Sequence, residues 1–527
     1  MRPLWAIFAV LVAAASACAD AVVAADQARI RTTGGAVERG WNLWSNGTLG
    51  DWFHAPKAGK VVVVIRAAGI QAAGEWPRAS VQVGNASVAE FTASSADDQE
   101  YRFEVDRTEG PFAVLVTFLN DYFQAGEDRN LLLREVRLEG ADLLDRVPSV
   151  KDLTEADVRR HRVGTIVVET APGARVKVEQ LRHEFGFGTA LANHLFQDET
   201  PEETRRAYER LVVDNFNGAV FENALKWYCV EPEEGKLRWE TADRIVGFCE
   251  ANRLELRGHC LFWAVDQFVQ PWVQALDKDA LSKTVSRHVR DVVGRYRGRI
   301  PEYDVNNEML HGQFFEKRLG PEVNVRMFQL AHEVDPDALL YVNDYNILNG
   351  AEVARYEEQI AWLLDAGAPV GGIGCQEHYE GGVAPYSTLT SSLNRLARFG
   401  LPIRITEFDI DTADEAKKAR GLEDFFRACF AHPSVTGIWQ WGFWEGAHWR
   451  PRAALWRKDF SPTPAAEVYR RLVYGEWWTR WEGTADVNGR CEVPAFFGSH
   501  RVEANGAGDE VVLARRDGTT TVRLGLK

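Results

Sequence analysis

Two glutamates, Glu308 and Glu407, each close a short apolar run, Tyr303-Asp304-Val305-Asn306-Asn307-Glu308 and Ile403-Arg404-Ile405-Thr406-Glu407. A carboxyl at the end of an apolar strand is held in one place and partly dried, and drying shifts its proton affinity. One such residue is an ordinary loop acid. Two of them, with His, Asn and Trp at other strand ends, form a pair able to work as acid and base. The companion segments are Phe221-Glu222-Asn223-Ala224-Leu225-Lys226-Trp227, Gly258-His259-Cys260-Leu261-Phe262-Trp263, Gly374-Cys375-Gln376-Glu377-His378 and Ile438-Trp439-Gln440-Trp441-Gly442, with Trp449 further on. This inventory suits cleavage of a glycosidic bond. One protonated carboxyl donates to the leaving oxygen, an ionised one stands opposite, and amides and indoles hold hydroxyls and sugar faces. Asp409 follows Glu407 on the same side of its strand and is placed to orient His378.

These side chains need a frame that brings strand ends together. From about 163 to 475, short apolar strands alternate with helical stretches such as Glu202–Val213, Pro321–Val334, Glu352–Ala366 and Leu389–Phe399. Strand ends are expected near Gly188, Val220, His259, Asn307, Asn343, Gln376, Glu407 and Trp441. Eight β-then-α units of this size predict a (β/α)8 TIM barrel, whose chemistry sits at the C-terminal ends of its strands. No G-x-G-x-x-G follows a strand, which weighs against a dinucleotide fold. Residues 26 to about 147 read as an all-β sandwich, with strands at Val61–Ile65, Val81–Val83, Tyr101–Val105, Phe112–Leu119 and Leu131–Leu138. Lys151–Arg162 is a charged, helical connector, and short strands after Tyr474 form a small β appendage. The expected division is a signal peptide at 1–25, the sandwich at 26–147, the barrel at 148–475 and the appendage at 476–527.

The net charge of −15 disfavours nucleic acid and anionic lipid, both of which need a basic face. Eighteen Trp against three Met hint at flat platforms for sugars. Arg2 and the apolar run Leu4–Ala17 read as a leader too short to span a bilayer, with cleavage after Ala19 or Ala25. The expected location is therefore secreted, periplasmic or cell-surface, with a lipid anchor on Cys18 as the lesser alternative. The other six cysteines form no C-x-x-C pair, so zinc and thioredoxin chemistry are not expected. No transmembrane segment is expected, and a monomer is.

Taken in order, the strand-end segments resemble glycoside hydrolase family 10, the endo-β-1,4-xylanases, over roughly residues 155–475. The resemblance implies a retaining mechanism without a cofactor, acting on xylan and xylo-oligosaccharides. It places the proton donor on Glu308, following Asn307, and the nucleophile on Glu407. Sugar contacts fall on Glu222, Asn223 and Lys226, and around the cleaved bond on His259, Trp263, Gln376, His378, Trp441 and Trp449. Three departures stand out: Ala264 where many members have His, a longer loop before Pro271-Trp272, and Glu445 where Asp is usual. The alternatives are a non-catalytic polysaccharide-binding protein and a cellulase-like enzyme of the same fold. The amino-terminal region, with Asn120-Asp121-Tyr122 and Asp128-Arg129-Asn130-Leu131, resembles calcium-dependent xylan-binding modules. Asn120, Asp121 and Asp128 are its candidate Ca²⁺ ligands. Trp41, Trp44 and Trp52 are candidates for either stacking platforms or core.

Overall fold

The computed structural model describes residues 20–525 except Asn85 and Ala125. The leader and Cys18 lie outside the described residues. The chain divides into two units, one ending at Leu153 and one beginning at Thr154.

The amino-terminal unit is a sandwich of two antiparallel sheets. One runs Gly35–Val37, Gly40–Leu43, Glu127–Glu139, Gly59–Ile70, Gln99–Arg107; the other runs Asp142–Leu143, Gly47–Ala55, Gly110–Phe118, Arg78–Val83, Ala86–Thr92. Alternation decides which side chains meet between them: Ala79, Val81 and Val83 point inward, and their neighbours point outward. Phe53, Phe112, Leu131 and Val136 close one core. Ala21–Ala24 pairs with Glu135–Leu138 as a further strand. Among the described residues this strand is the first of the sandwich and lies on the leader side of the boundary expected at residue 25; a cut after Ala25 would remove it, and a cut after Ala19 would keep it. The three early tryptophans separate. Trp41 donates its indole N–H to Thr33 O (2.8 Å) and packs against the core, Trp52 is half-buried, and Trp44 is half-exposed over Gly35.

In the second unit, eight parallel strands close into a barrel: Gly186–Leu191, Gly218–Phe221, Glu255–Gly258, Glu302–Asn307, Leu339–Asp344, Gly372–Cys375, Ile403–Asp411 and Val435–Gln440. Pairing of Arg257 with Glu302 links the third and fourth strands, and Gly186 with Gly437 links the first and eighth. A helix follows each strand, from Glu202–Asn215 to Pro464–Arg471. Several start on a side-chain cap, as Asp277 does for Lys278–Arg295 by accepting from the Ala280 N–H, a device worth about 1 kcal/mol.

The barrel floor is filled by large side chains laid over glycines. Trp439 is fully buried, and a Cβ on Gly188 would lie 2.2 Å from its Nε1. Above it sits a layer of buried charge: Arg257 and Arg404 each hold Glu302 at 2.9 Å, and Arg257 also grips Asp304. Burial alone would raise the Glu302 pKa, but the two guanidinium charges bring it below the usual value. Ions this deep persist only when every partner is present, so the layer fixes strands three, four and seven against one another.

The β region after the barrel is assembled differently from the expected division. Val163–Glu169 pairs with Arg490–Phe496 and Thr519–Arg523, and Arg175–His183 with Arg480–Thr484 and Gly498–Ala504. The appendage is therefore built from chain on both sides of the barrel, and residues 163–183 belong to it. The alternation in Arg175-Val176-Lys177-Val178 was the available signal.

Candidate active site

The barrel mouth holds a cleft of about 810 Å³. It is lined by every sugar-contact and catalytic residue expected from the sequence, Glu308 and Glu407 included. Asp409 stands behind the wall.

Glu308 follows the last residue of the fourth strand. Its φ of +59° is a left-handed turn unusual for a side chain with a Cβ, and its N–H is tied to Asn343 O at 2.9 Å. Its carboxyl takes hydrogen bonds from Trp263 Nε1 (2.8 Å), Gln376 Nε2 (3.1 Å) and Asn307 Nδ2 (3.2 Å). Burial, helped by the negative charge of Glu407, pushes its pKa above the usual carboxylate value, although Gln376 and Trp263 pull the other way. Glu308 holds a proton to higher pH than an exposed glutamate.

Glu407 takes the opposite course. The strand does not end there but runs on to Asp411, pairing with His378–Glu380 across the way. Its Oε1 accepts from Asn343 Nδ2 at 2.8 Å, and its Oε2 lies 3.4 Å from His378 Nε2. Burial alone would raise its pKa, but the charges of His259 and His378, the His378 hydrogen bond and Lys226 lower it to about 2. Burial likewise works against the His378 proton, yet Asp409 and Glu407 raise its pKa to about 10. His378 Nδ1 meets Asp409 Oδ1 at 3.1 Å as an ion-pair contact rather than an aligned hydrogen bond. The other Asp409 oxygen accepts from Trp449 Nε1 at 2.7 Å. One side of the cleft thus holds a carboxyl that ionises readily and the other a carboxyl that gives up its proton less readily than an exposed glutamate.

The remaining expected residues fall around this pair. His259 Nδ1 lies 2.9 Å from Asp304 and 3.8 Å from Glu407. Lys226 donates to Asn223 Oδ1 at 3.1 Å and sits 4.5 Å from the Trp263 ring centre. Glu222 is pushed up by burial, with Lys226 opposing. The two strand-eight indoles differ: Trp441 is 7% exposed and meets the His259 ring edge-on, whereas Trp449 is 49% exposed.

Three contributors were not legible as functional. Asn343 reads as scaffolding at the fifth strand end, yet it binds Glu407 and also donates to Asn307 Oδ1 at 2.9 Å. Asp304 looks like one more polar residue in a strand, but it holds His259 in place. Arg450 follows Trp449 and lines the cleft. For the first two, the side of the strand on which the glutamates point was the available signal.

The sequence model of Glycosyl hydrolase family 10 matches residues 178–471, more than half of the chain. The chain belongs to glycoside hydrolase family 10. Over 335 residues it is 39% identical to Endo-1,4-beta-xylanase 1 of Arabidopsis thaliana, covering 63% of this chain and 34% of that protein. It is 36% identical over 351 residues to Anti-sigma-I factor RsgI6 of Acetivibrio thermocellus, covering 66% of this chain and 45% of that one. The chain thus spans less than half the length of these relatives. The crystal structure of xylanase 10B from Thermotoga maritima superposes with a TM-score of 0.52 at 28% identity, over 56% of this chain and 96% of that one.

The departures from the family pattern leave the cleft intact. Ala264 is buried, with its carbonyl taking the Phe314 N–H. Glu445 braces a loop by accepting from the Lys458 N–H at 2.8 Å, and Trp272 donates to Glu231 O. Ala264, Trp272 and Glu445 stay off the cleft wall, but the longer loop reaches it through Phe268, which stacks on Trp263 at 3.6 Å.

In the sandwich, residues 62–151 match the model of a Ca-dependent xylan-binding carbohydrate-binding module, and the unit resembles such modules. The expected calcium ligands fit in part. Asn120 is already engaged with the backbone: its Oδ1 accepts from the Arg78 N–H (2.7 Å) and its Nδ2 donates to Trp76 O (3.1 Å). Asp128 shares a face with Asn130 by strand alternation, and the Asn130 Oδ1 is buried without a partner among the described residues. Asp121 precedes the facing strand. Asp121, Asp128 and Asn130 carry oxygens of the kind a hard cation takes, though among the described residues no group of three or more His, Cys, Asp or Glu is gathered as a metal site.

Proposed function

We propose that this chain cleaves internal β-1,4-xylosidic bonds with retention of configuration, Glu407 acting as nucleophile and Glu308 as acid/base. The observation that carries this reading is two buried glutamates on one cleft with opposite surroundings, Glu407 beside His378 and Glu308 beside the Trp263 indole and the Gln376 amide. Glu308 protonates the leaving glycosidic oxygen while Glu407 attacks the anomeric carbon and forms a glycosyl ester. Glu308, now a carboxylate, takes a proton from a water whose oxygen bonds to the anomeric carbon as the ester bond to Glu407 breaks, which releases the sugar and restores both carboxyls. Asn307 hydrogen-bonds the 2-hydroxyl, a contact that strengthens as positive charge grows on the ring. His378, held by Asp409, keeps Glu407 ionised and aimed.

The pH dependence follows with a definite sign. Glu407 must be ionised, so activity is lost as pH falls toward its depressed pKa of about 2. Glu308 must be protonated, so activity is lost as pH rises through its elevated pKa. His378→Ala removes a lowering influence on Glu407, and its acid limb in kcat/KM moves to higher pH. An acid limb that stays put in this variant would reject the role given to His378.

Sugar choice tests the substrate class. Glucose adds a hydroxymethyl group at C5, and a xylan-selective cleft must leave it no room beside Trp441 and Trp449. Overfilling a packed site costs ~1–3 kcal/mol, and discrimination by fit reaches roughly a hundredfold. We expect kcat/KM on xylo-oligosaccharides to exceed that on matched cello-oligosaccharides by about that factor, and Trp449→Ala to narrow the gap. Equal efficiency on both series in the unmodified protein would favour a cellulase-like specificity.

The sandwich is assigned to xylan binding, with calcium held by Asp121, Asp128 and Asn130; calcium there would bridge to sugar hydroxyls. Residues 20–149, which close a core of their own, are expected to be retained on insoluble xylan and released by a chelator. Retention indifferent to chelator would remove calcium from the assignment. Export of the protein is part of the same proposal, supported by the apolar run at residues 4–17.

A further inference from the structure

Arg450 stands on the cleft wall as a cation whose one ion-pair partner, Glu380, is held loosely. Its guanidinium carbon lies 4.2 Å over the ring of Trp449, the indole that Asp409 fixes. Its Nη1 is buried and has no hydrogen-bond acceptor among the described residues. Its Nη2 has Glu380 as ion-pair partner, but at 3.5 Å and with the Glu380 side chain 81% exposed. A well-formed arginine–carboxylate fork closes to about 2.7–2.9 Å. The nearby Arg452 shows that closed form, holding both oxygens of Asp411 at 2.8 and 3.0 Å. Lys226, also on the cleft wall, is already committed to Asn223 and to the faces of Trp263 and Trp441.

A planar guanidinium with unfilled donors on the wall of a sugar-sized cleft matches one ligand chemistry best, a carboxylate met in bidentate fashion. Neutral hydroxyls would satisfy donors but leave the charge unpaired. On a polysaccharide, the group that supplies a carboxylate is a uronic acid branch. We propose that Arg450 recognises such a branch, so that acid-substituted chains are preferred over neutral ones. This rests on the xylanase reading above. Glu380 then acts as a weak internal competitor, displaced when the sugar acid arrives because two carboxylates share one guanidinium poorly.

A second role for Arg450, propping Trp449, predicts something different and can be separated. The probes are xylo-oligosaccharides of one length carrying a single glucuronic acid branch, the methyl ester of the same compounds, and the unbranched oligosaccharide. Acid and ester have nearly the same shape and differ in charge. Affinities are read by calorimetry in a Glu407→Ala background, which keeps the ligands intact, and kcat/KM in the unmodified protein. We expect the acid to bind about tenfold tighter than its ester at low salt, the scale of one charge-assisted contact, with the ratio shrinking as salt rises. Arg450→Gln is expected to bring the acid-to-ester ratio close to one. An acid-to-ester ratio of one before substitution would overturn the proposal. So would an Arg450→Gln variant that weakens acid, ester and unbranched ligands alike, since that is the signature of a prop. Should Arg450→Gln fail to fold, the exposed change Glu380→Gln decides: removal of the competing anion raises the ratio, and a ratio unchanged or lower rejects the assignment. Turnover of the unbranched oligosaccharide is a separate reading. Its absence would sink the xylanase assignment while the calorimetric ratio still judges Arg450.

Discussion

Glu407→Ala is expected to lower turnover of xylan by roughly four orders of magnitude or more, the scale seen when a covalent nucleophile is removed. The argument rests on what remains after the change. Glu308 is assigned to the other side of the bond, and its pKa, like that of Glu222, is raised by burial. Neither can replace a carboxylate whose pKa is about 2 at the attacking position. Asn343 and His378 keep their places through Asn307 and Asp409, so the fold should survive. The thermal midpoint should therefore shift little compared with the loss of rate. The space left by the carboxylate suits a small anion. Azide added to this variant attacks from the same face once and yields an inverted glycosyl azide from an activated substrate. Substantial native activity in Glu407→Ala would move the nucleophile elsewhere, and azide giving the retained product would contradict the face of attack.

The chain's order of elements was legible because the barrel repeats one unit eight times. Each strand reads as an apolar run, and each helix shows a 3.6-residue period. Strand ends came within a few residues, and the largest offset is instructive. The apolar run points to a strand end at Glu407, while the strand continues to Asp411 because it pairs with His378–Glu380. No local pattern reveals such a late partner. The same limit explains the appendage: Val163–Glu169 finds Arg490–Phe496 more than three hundred residues away, and its own alternation does not say which partner it will take. It explains Ala21–Ala24 as well, where an apolar strand of the sandwich resembles the tail of a leader.

At the site, residue types were more legible than their relations. Carboxyls, amides and indoles at strand ends identified the cleft. The opposed pKa shifts of Glu308 and Glu407 depend on burial and on distances that spacing does not encode: burial raises Glu308, while His259 at 3.8 Å and His378 at 3.4 Å lower Glu407. Asn120 shows a related limit. Its type and neighbours suited a cation, yet its amide is spent on the backbone at Arg78 and Trp76. A polar side chain in a loop becomes a ligand only when the backbone has no prior use for it.

Glu308→Ala separates the two chemical steps and is the sharper test of the pair. Without Glu308 no proton reaches the leaving oxygen, so the rate of glycosyl–enzyme formation depends on how well the leaving group departs unaided. Xylan, whose leaving group is a sugar hydroxyl, needs the proton fully, and its turnover is expected to fall by about a thousandfold, within the general acid contribution of 10²–10⁴. An aryl xylobioside with an acidic phenol needs little help, so its first step survives. The second step then lacks its base, and the glycosyl ester on Glu407 accumulates as a burst of released phenol followed by a slow phase. Azide, which needs no deprotonation, should speed that slow phase and yield a glycosyl azide of retained configuration, the opposite outcome to that with Glu407→Ala. The surroundings of Glu308 make this a clean experiment. Trp263, Gln376 and Asn307 donate to its carboxyl, and after truncation Asn307 still has Asn343 while Trp263 still stacks on Phe268 at 3.6 Å. Equal losses on xylan and on the aryl glycoside would take the acid/base role away from Glu308, whatever the result at Glu407.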